Sequence, residues 1–194
     1  MNFLEKIREY IRISEVSSIT RRYFVMNAFD GAMTVLGIVV GAYVAGINDS
    51  SWVISAGLGA SLAMGLSGFA GAYMVEEAER TQELNTLERA MLKNLDESVI
   101  DKASSFASVW TGIVDGVSPA IAAVICLIPF FLSSLNVFLI DLAIQLSIAT
   151  ALVILFLLGV FLGKASGRSV VLHGMKMLGV GVVLTIVFFA FKLI

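Results

Sequence analysis

Charge is what this chain has least of. Only 14% of its 194 residues are Asp, Glu, Lys or Arg, where a soluble domain carries roughly a quarter, and that deficit excludes an ordinary water-soluble globule. The one cysteine, Cys126, can form no internal disulfide, so the redox compartment is not readable from it. The net charge is −2, and no basic stripe or basic cluster interleaved with aromatics is present to neutralise phosphates, which excludes nucleic acid as a partner. Missing too are a nucleophile with a base beside it, a paired Cys or His motif and a phosphate-binding glycine loop. That argues against an enzyme and implies no cofactor. The stretch 1–22 lacks the uninterrupted apolar run of a signal peptide, because Glu5, Lys6, Arg8, Glu9, Arg12 and Glu15 break it, so it reads as mature protein.

What the chain has instead is long apolar runs. No charged side chain lies between Asp30 and Asp49, between Asp49 and Glu76, between Gly116 and Ile140, or between Leu142 and Gly163, and Val170 to Phe191 holds only His173 and Lys176 near its start. Each run matches the roughly 20 residues that a helix needs to cross a hydrocarbon core of about 30 Å. The fold expected is all-α, a single polytopic membrane domain over residues 1–194. Its transmembrane helices fall at 24–47, 52–75, 109–132, 140–163 and 170–191. Before them, Phe3, Leu4, Ile7, Tyr10, Ile11 and Ile19 recur at helical spacing opposite the charges, which predicts an amphipathic helix over 1–22 lying in the membrane interface or, alternatively, a soluble leader. Residues 76–108 form the one sizeable polar segment, read as a cytoplasmic helical arm with an apolar stripe of Leu84, Leu87, Met91 and Leu95.

Lysine and arginine in short connections mark the cytoplasmic side. Lys6, Arg8, Arg12, Arg21 and Arg22 precede the first span, Arg80, Arg89, Lys93 and Lys102 separate spans two and three, and Lys164 and Arg168 separate four and five. The opposite turns contain none. The N-terminus is therefore expected in the cytoplasm and the C-terminus, with Lys192, on the other side. Small residues line span two, with Ala56, Ala60, Gly68 and Ala72 on one stripe and Gly57, Ser61 and Gly65 on its neighbour, while span one adds Gly37 and Gly41. Such stripes let backbones approach closely in lipid. They fit packing within the chain or against a second copy, and a homodimer is the expectation.

Two carboxylates stand where a carboxylate is expensive. Asp30 lies about two turns past Arg22, Asp115 lies well inside span three, and a glycine follows each. An ionised group in hydrocarbon costs several kcal/mol unless it faces a polar cavity, pairs with a cation or stays protonated. Asp30 could instead be a helix-start residue near the interface. Pro119 cannot donate to the carbonyl of Asp115, and backbone opened in this way is tolerated only against protein or water. Pro129 does the same for Ile125, with no polar side chain near in sequence, and reads as a simple kink. Met26, Met33 and Met64 supply thioether sulfur, a donor better suited to Fe²⁺ than to Mg²⁺ or Ca²⁺, although a methionine in an apolar helix is most often packing. On the arm, Glu76, Glu79 and Glu83 share a helical face, near Glu77 and Glu88, and such a face attracts divalent cations unless Arg80 and Arg89 neutralise it. His173, alone, is weak evidence for a ligand or a proton relay.

Taken together, Asn27-Ala28-Phe29-Asp30-Gly31-Ala32-Met33-Thr34 resembles the Asp-Gly signature that opens the first span of the vacuolar iron transporter family. Ala63-Met64-Gly65 resembles that family's methionine-bearing second span. Ile125 to Phe130 is similar to its proline-ended third span, and Gly167-Arg168-Ser169 with Gly174 to Leu178 is similar to the start of its fifth. The likeness extends across most of the chain through short motifs. It implies a five-helix homodimer that exports Fe²⁺ and Mn²⁺ from the cytoplasm in exchange for protons, with an aspartate and a methionine in the membrane path; by motif these are Asp30 and Met64. Two departures stand out. Leu66-Ser67-Gly68-Phe69 occupies the place where family members commonly carry a glutamate soon after the methionine, and 76–108 replaces a larger glutamate-rich domain of plant and fungal members.

The expectation is thus a divalent metal transporter whose metal-ligating residues are Asp30, Met64, Asp115, Glu76, Glu79 and Glu83. Its partners are membrane lipid, the transported ion and a second copy of the chain. The rival readings are a transporter or channel for another small ion, and a non-transporting membrane adaptor that binds a protein through 76–108.

Overall fold

The computed structural model describes residues 3–14 and 16–191, without the side chains of Phe3, Leu4, Lys6, Arg8 and Phe191. Met1, Glu15 and Lys192, which entered the sequence reading, lie outside the described residues. The described chain is helical throughout, with α1 at Phe3–Ile13, α2 at Val16–Val44, α3 at Ser50–Met91, α4 at Val99–Ser134, α5 at Ile140–Ala165 and α6 at Val170–Phe191. Five of these, α2 to α6, are long and apolar enough to cross a membrane. Where the sequence suggested one segment over 1–22, α1 ends at Ile13 and the helix carrying the first span starts at Val16. Span two and the first half of the polar arm are one 42-residue helix, α3, and the rest of the arm is the first part of α4.

Three of the turns stop their helices in the same way. Gly46, Asn136 and Gly167 take left-handed φ of 72°, 58° and 64°, and the amide one residue further on reaches back five residues, from Ile47 to Ala42, Val137 to Leu132 and Arg168 to Gly163. This closure satisfies carbonyls at a helix end with a residue that tolerates left-handed backbone, as Gly and Asn do. Asp49 opens α3, because its carboxylate accepts from the Ser51 amide at 2.9 Å and the Ser51 hydroxyl at 2.7 Å.

The chain divides into two compact units, one made of residues 1–24 and 65–117, the other of 25–64 and 118–194. In the second unit, Val35, Leu36, Val39 and Val40 of α2 pack with Cys126, Leu127 and Phe130 of α4 and with Ala151 and Leu155 of α5. Glycines set the spacing there, since a Cβ on Gly57 would meet the Leu127 side chain, and one on Gly159 would lie 2.7 Å from the Gly174 Cα of α6. In the first unit, α3 and α4 cross on Gly65, Gly68, Gly112 and Gly116, where added Cβ atoms would strike the other helix's backbone or side chains. The small-residue stripe of span two therefore meets helices of the same chain at Gly57, Gly65 and Gly68. Tyr10 of α1 packs on Phe106, which stacks on Trp110.

Candidate metal path

In the second unit, Asp30 is exposed on α2 and makes no hydrogen bond or ion pair among the described residues. One turn further along the same face, the Thr34 hydroxyl donates to the Met64 sulfur at 3.4 Å. Met64 of α3 is thus bonded to α2 one turn on from Asp30, by a threonine that the sequence alone did not single out. The residue after Asp30 is fixed by packing, since a Cβ on Gly31 would lie 2.6 Å from the Pro119 Cα. Along the same α2 face, Met26 is exposed and Gly37 has open space where a Cβ would be.

In the first unit, Asp115 is only 4% exposed. A Cβ on Gly68 would lie 2.8 Å from its Oδ2, so Gly68 of α3 leaves the room that a carboxylate brought by α4 fills. Glu76 is 3% exposed and is paired with the Arg80 guanidinium one turn on, Nε to Oε2 at 3.2 Å. Arg80 also donates to the carbonyl of Ser14, at the end of α1, at 3.3 Å. Glu79 and Glu83 remain exposed and, with Glu76, Arg80 and Ser14, line a cavity of about 340 Å³. Arg80 therefore neutralises the first of the three arm carboxylates. Among the described residues, no three His, Cys, Asp or Glu side chains converge as a ready metal cage.

Near the Pro129 kink, the buried Ser147 hydroxyl of α5 donates to the Cys126 carbonyl, one residue after the Ile125 carbonyl that Pro129 cannot donate to, at 2.7 Å. The His173 Nδ1 lies 3.0 Å from the carbonyl of Ser169, the residue before α6. A carbonyl only accepts, so that nitrogen carries the proton.

Five helices long and apolar enough to cross a membrane define the architecture of a multi-pass integral membrane protein. A family model described as the VIT family matches residues 21–102. An uncharacterized protein of Methanocaldococcus jannaschii is 37% identical over 159 residues, covering 80% of this chain and 80% of its own length. The chain belongs to the VIT family, the vacuolar iron transporters, and is accordingly a membrane metal-ion transporter rather than an enzyme by family.

Proposed function

We propose that the protein exports Fe²⁺ or Mn²⁺ from the cytoplasm in exchange for protons, with Asp30 and Met64 as the ligands within the membrane. The observation that carries this reading is the Asp30–Thr34–Met64 arrangement. A carboxylate supplies charge, a thioether supplies softness, and the pair favours a borderline divalent ion over Mg²⁺ or Ca²⁺. Thr34 orients the thioether from the turn next to the carboxylate. A carboxylate in a low-dielectric span takes up a proton or a cation rather than stay bare, so metal and proton compete for Asp30, and that competition is the basis of exchange.

Lys and Arg placement supports a cytoplasmic N-terminus and a C-terminus on the opposite face. On that orientation Glu79 and Glu83 gather ions at the inner mouth, with Glu76 held behind them by Arg80. The exposed face of α2 that carries Met26, Asp30 and Gly37 is costly to leave in lipid, and a second copy packed there would cover it, which supports a homodimer. Thermal unfolding in detergent tests the ligands. Mn²⁺ and Fe²⁺ should raise the Tm of the unmodified protein more than Mg²⁺ or Ca²⁺ do, and Asp30→Asn should remove most of that rise. Equal stabilisation of the Asn variant would overturn the assignment.

A further inference from the structure

Of the seven threonines in the chain, five fold their hydroxyls back on the carbonyl four residues earlier, namely Thr20, Thr81, Thr86, Thr150 and Thr185. That is a common resting state of a helical threonine. Thr34 departs from it to hold Met64. Thr111 also departs, but its hydroxyl oxygen has no hydrogen-bond partner among the described residues, although the side chain is fully buried.

Thr111 stands in a line. Ser104, Ser108, Thr111 and Asp115 follow one another at steps of four, three and four and so share one face of α4. Ser104 lines the 340 Å³ cavity that also holds Glu79 and Glu83, and Ser104 and Ser108 both line a neighbouring cavity of about 150 Å³ with Asp101. Beyond Ser108 the face is closed, with Ser108, Thr111 and Asp115 all buried. Gly68 of α3 leaves the space that the Asp115 carboxylate fills. A buried hydroxyl kept unpaired costs stability, and this one could have bonded the Ala107 carbonyl as its counterparts do.

From this geometry we infer that the buried α4 face from Ser108 to Asp115 is a hard-donor station for the transported divalent ion, and that the Thr111 hydroxyl oxygen is one of its ligands there. The inference rests on the transport reading above and adds to it a site in the first unit made only of oxygen. A hydroxyl beside a carboxylate suits hard and borderline cations such as Mn²⁺. Ser108, Thr111 and Asp115 offer no sulfur, which separates the preference of this set from that of the Asp30 and Met64 pair.

Mn²⁺ is the probe, in titration calorimetry in detergent and in flux into proteoliposomes, with Thr111→Val, Thr111→Ser and Asp30→Asn run beside the unmodified protein. Val keeps the shape and removes the oxygen. It should raise the metal-free Tm by about 2–4 °C, by relieving one unpaired buried hydroxyl, yet lower Mn²⁺ flux about tenfold, the scale on which supporting groups act at metal sites. Ser, which restores the oxygen, should recover most of the flux. Thr111→Val with flux within twofold of the unmodified protein overturns the inference, because the hydroxyl then holds an internal water or nothing. If that happens while Asp30→Asn abolishes flux, the transport reading stands without it. If the unmodified protein neither binds nor moves Mn²⁺, the transport reading fails and this inference fails with it.

Discussion

At the scale of single residues, the Asp-Gly pair of α2 separates into two tasks. Asp30 carries the charge, and Gly31 lets α4 come close enough for Pro119 to sit against the backbone. Gly31→Ala adds one methyl where the opposing Cα would be 2.6 Å away, and backbone cannot rotate aside as a side chain end can. Overpacking of this kind costs about 1–3 kcal/mol. The variant should therefore unfold measurably earlier in detergent with Asp30 intact, and an unchanged transition would show that α2 and α4 are not in close contact. Asp30 and Met64 draw attention in the sequence because a charge in an apolar run and a short motif both stand out. Thr34, Thr111 and Ser147 were not, because a hydroxyl in an apolar helix usually returns to its own backbone, and only coordinates reveal the ones that do not.

At the scale of elements, helix ends and one buried ion pair govern how the spans are held. Asp49 opens α3, and its hydrogen bonds from Ser51 hold its carboxyl below the ordinary value of 3.8. A depressed folded value means that the cap contributes stability above the ordinary carboxylate range and loses it as pH falls through the lowered value. Asp49→Asn keeps an acceptor and removes the charge. The stability difference between the unmodified protein and this variant should shrink on acidification below about pH 4; a difference that stays constant with pH would contradict the cap.

The Glu76–Arg80 pair is a different case, since both groups are buried and the guanidinium also ties Ser14 at the end of α1 to α3. Arg80→Met should cost roughly 3–5 kcal/mol by stranding Glu76 without a partner, while the double change Glu76→Leu with Arg80→Met should regain much of that loss. If the single variant unfolds with the unmodified protein, the pair is solvated rather than buried. The sequence showed three glutamates on one face and two arginines able to neutralise them. It did not show which arginine does so, because an i, i+4 spacing places Arg80 near Glu76 without saying whether water still reaches them.

At the scale of the whole molecule, the five crossings were legible because hydrocarbon imposes a length and excludes charge, and both leave marks in a single sequence. The continuation of span two through the polar arm as one helix also follows from composition, since no glycine or proline lies between Tyr73 and Met91. What composition does not carry is the break between α1 and α2. An apolar stripe can pass across a turn unaltered, and the stripe of α1 was read through to Ile19. The two compact units likewise have no mark in the sequence, because α2, α3 and α4 each pass from one to the other.

On the proposed mechanism, a divalent ion crosses the membrane by way of Asp30 and protons move the other way. Mn²⁺ flux into proteoliposomes, read together with a lumenal pH dye, tests both halves at once. The unmodified protein should move Mn²⁺ down its gradient and change the lumenal pH in step, and Asp30→Asn, folded by its thermal transition, should do neither. Mn²⁺ flux by the Asn variant at the unmodified rate, or flux with no pH change in the unmodified protein, would contradict the mechanism.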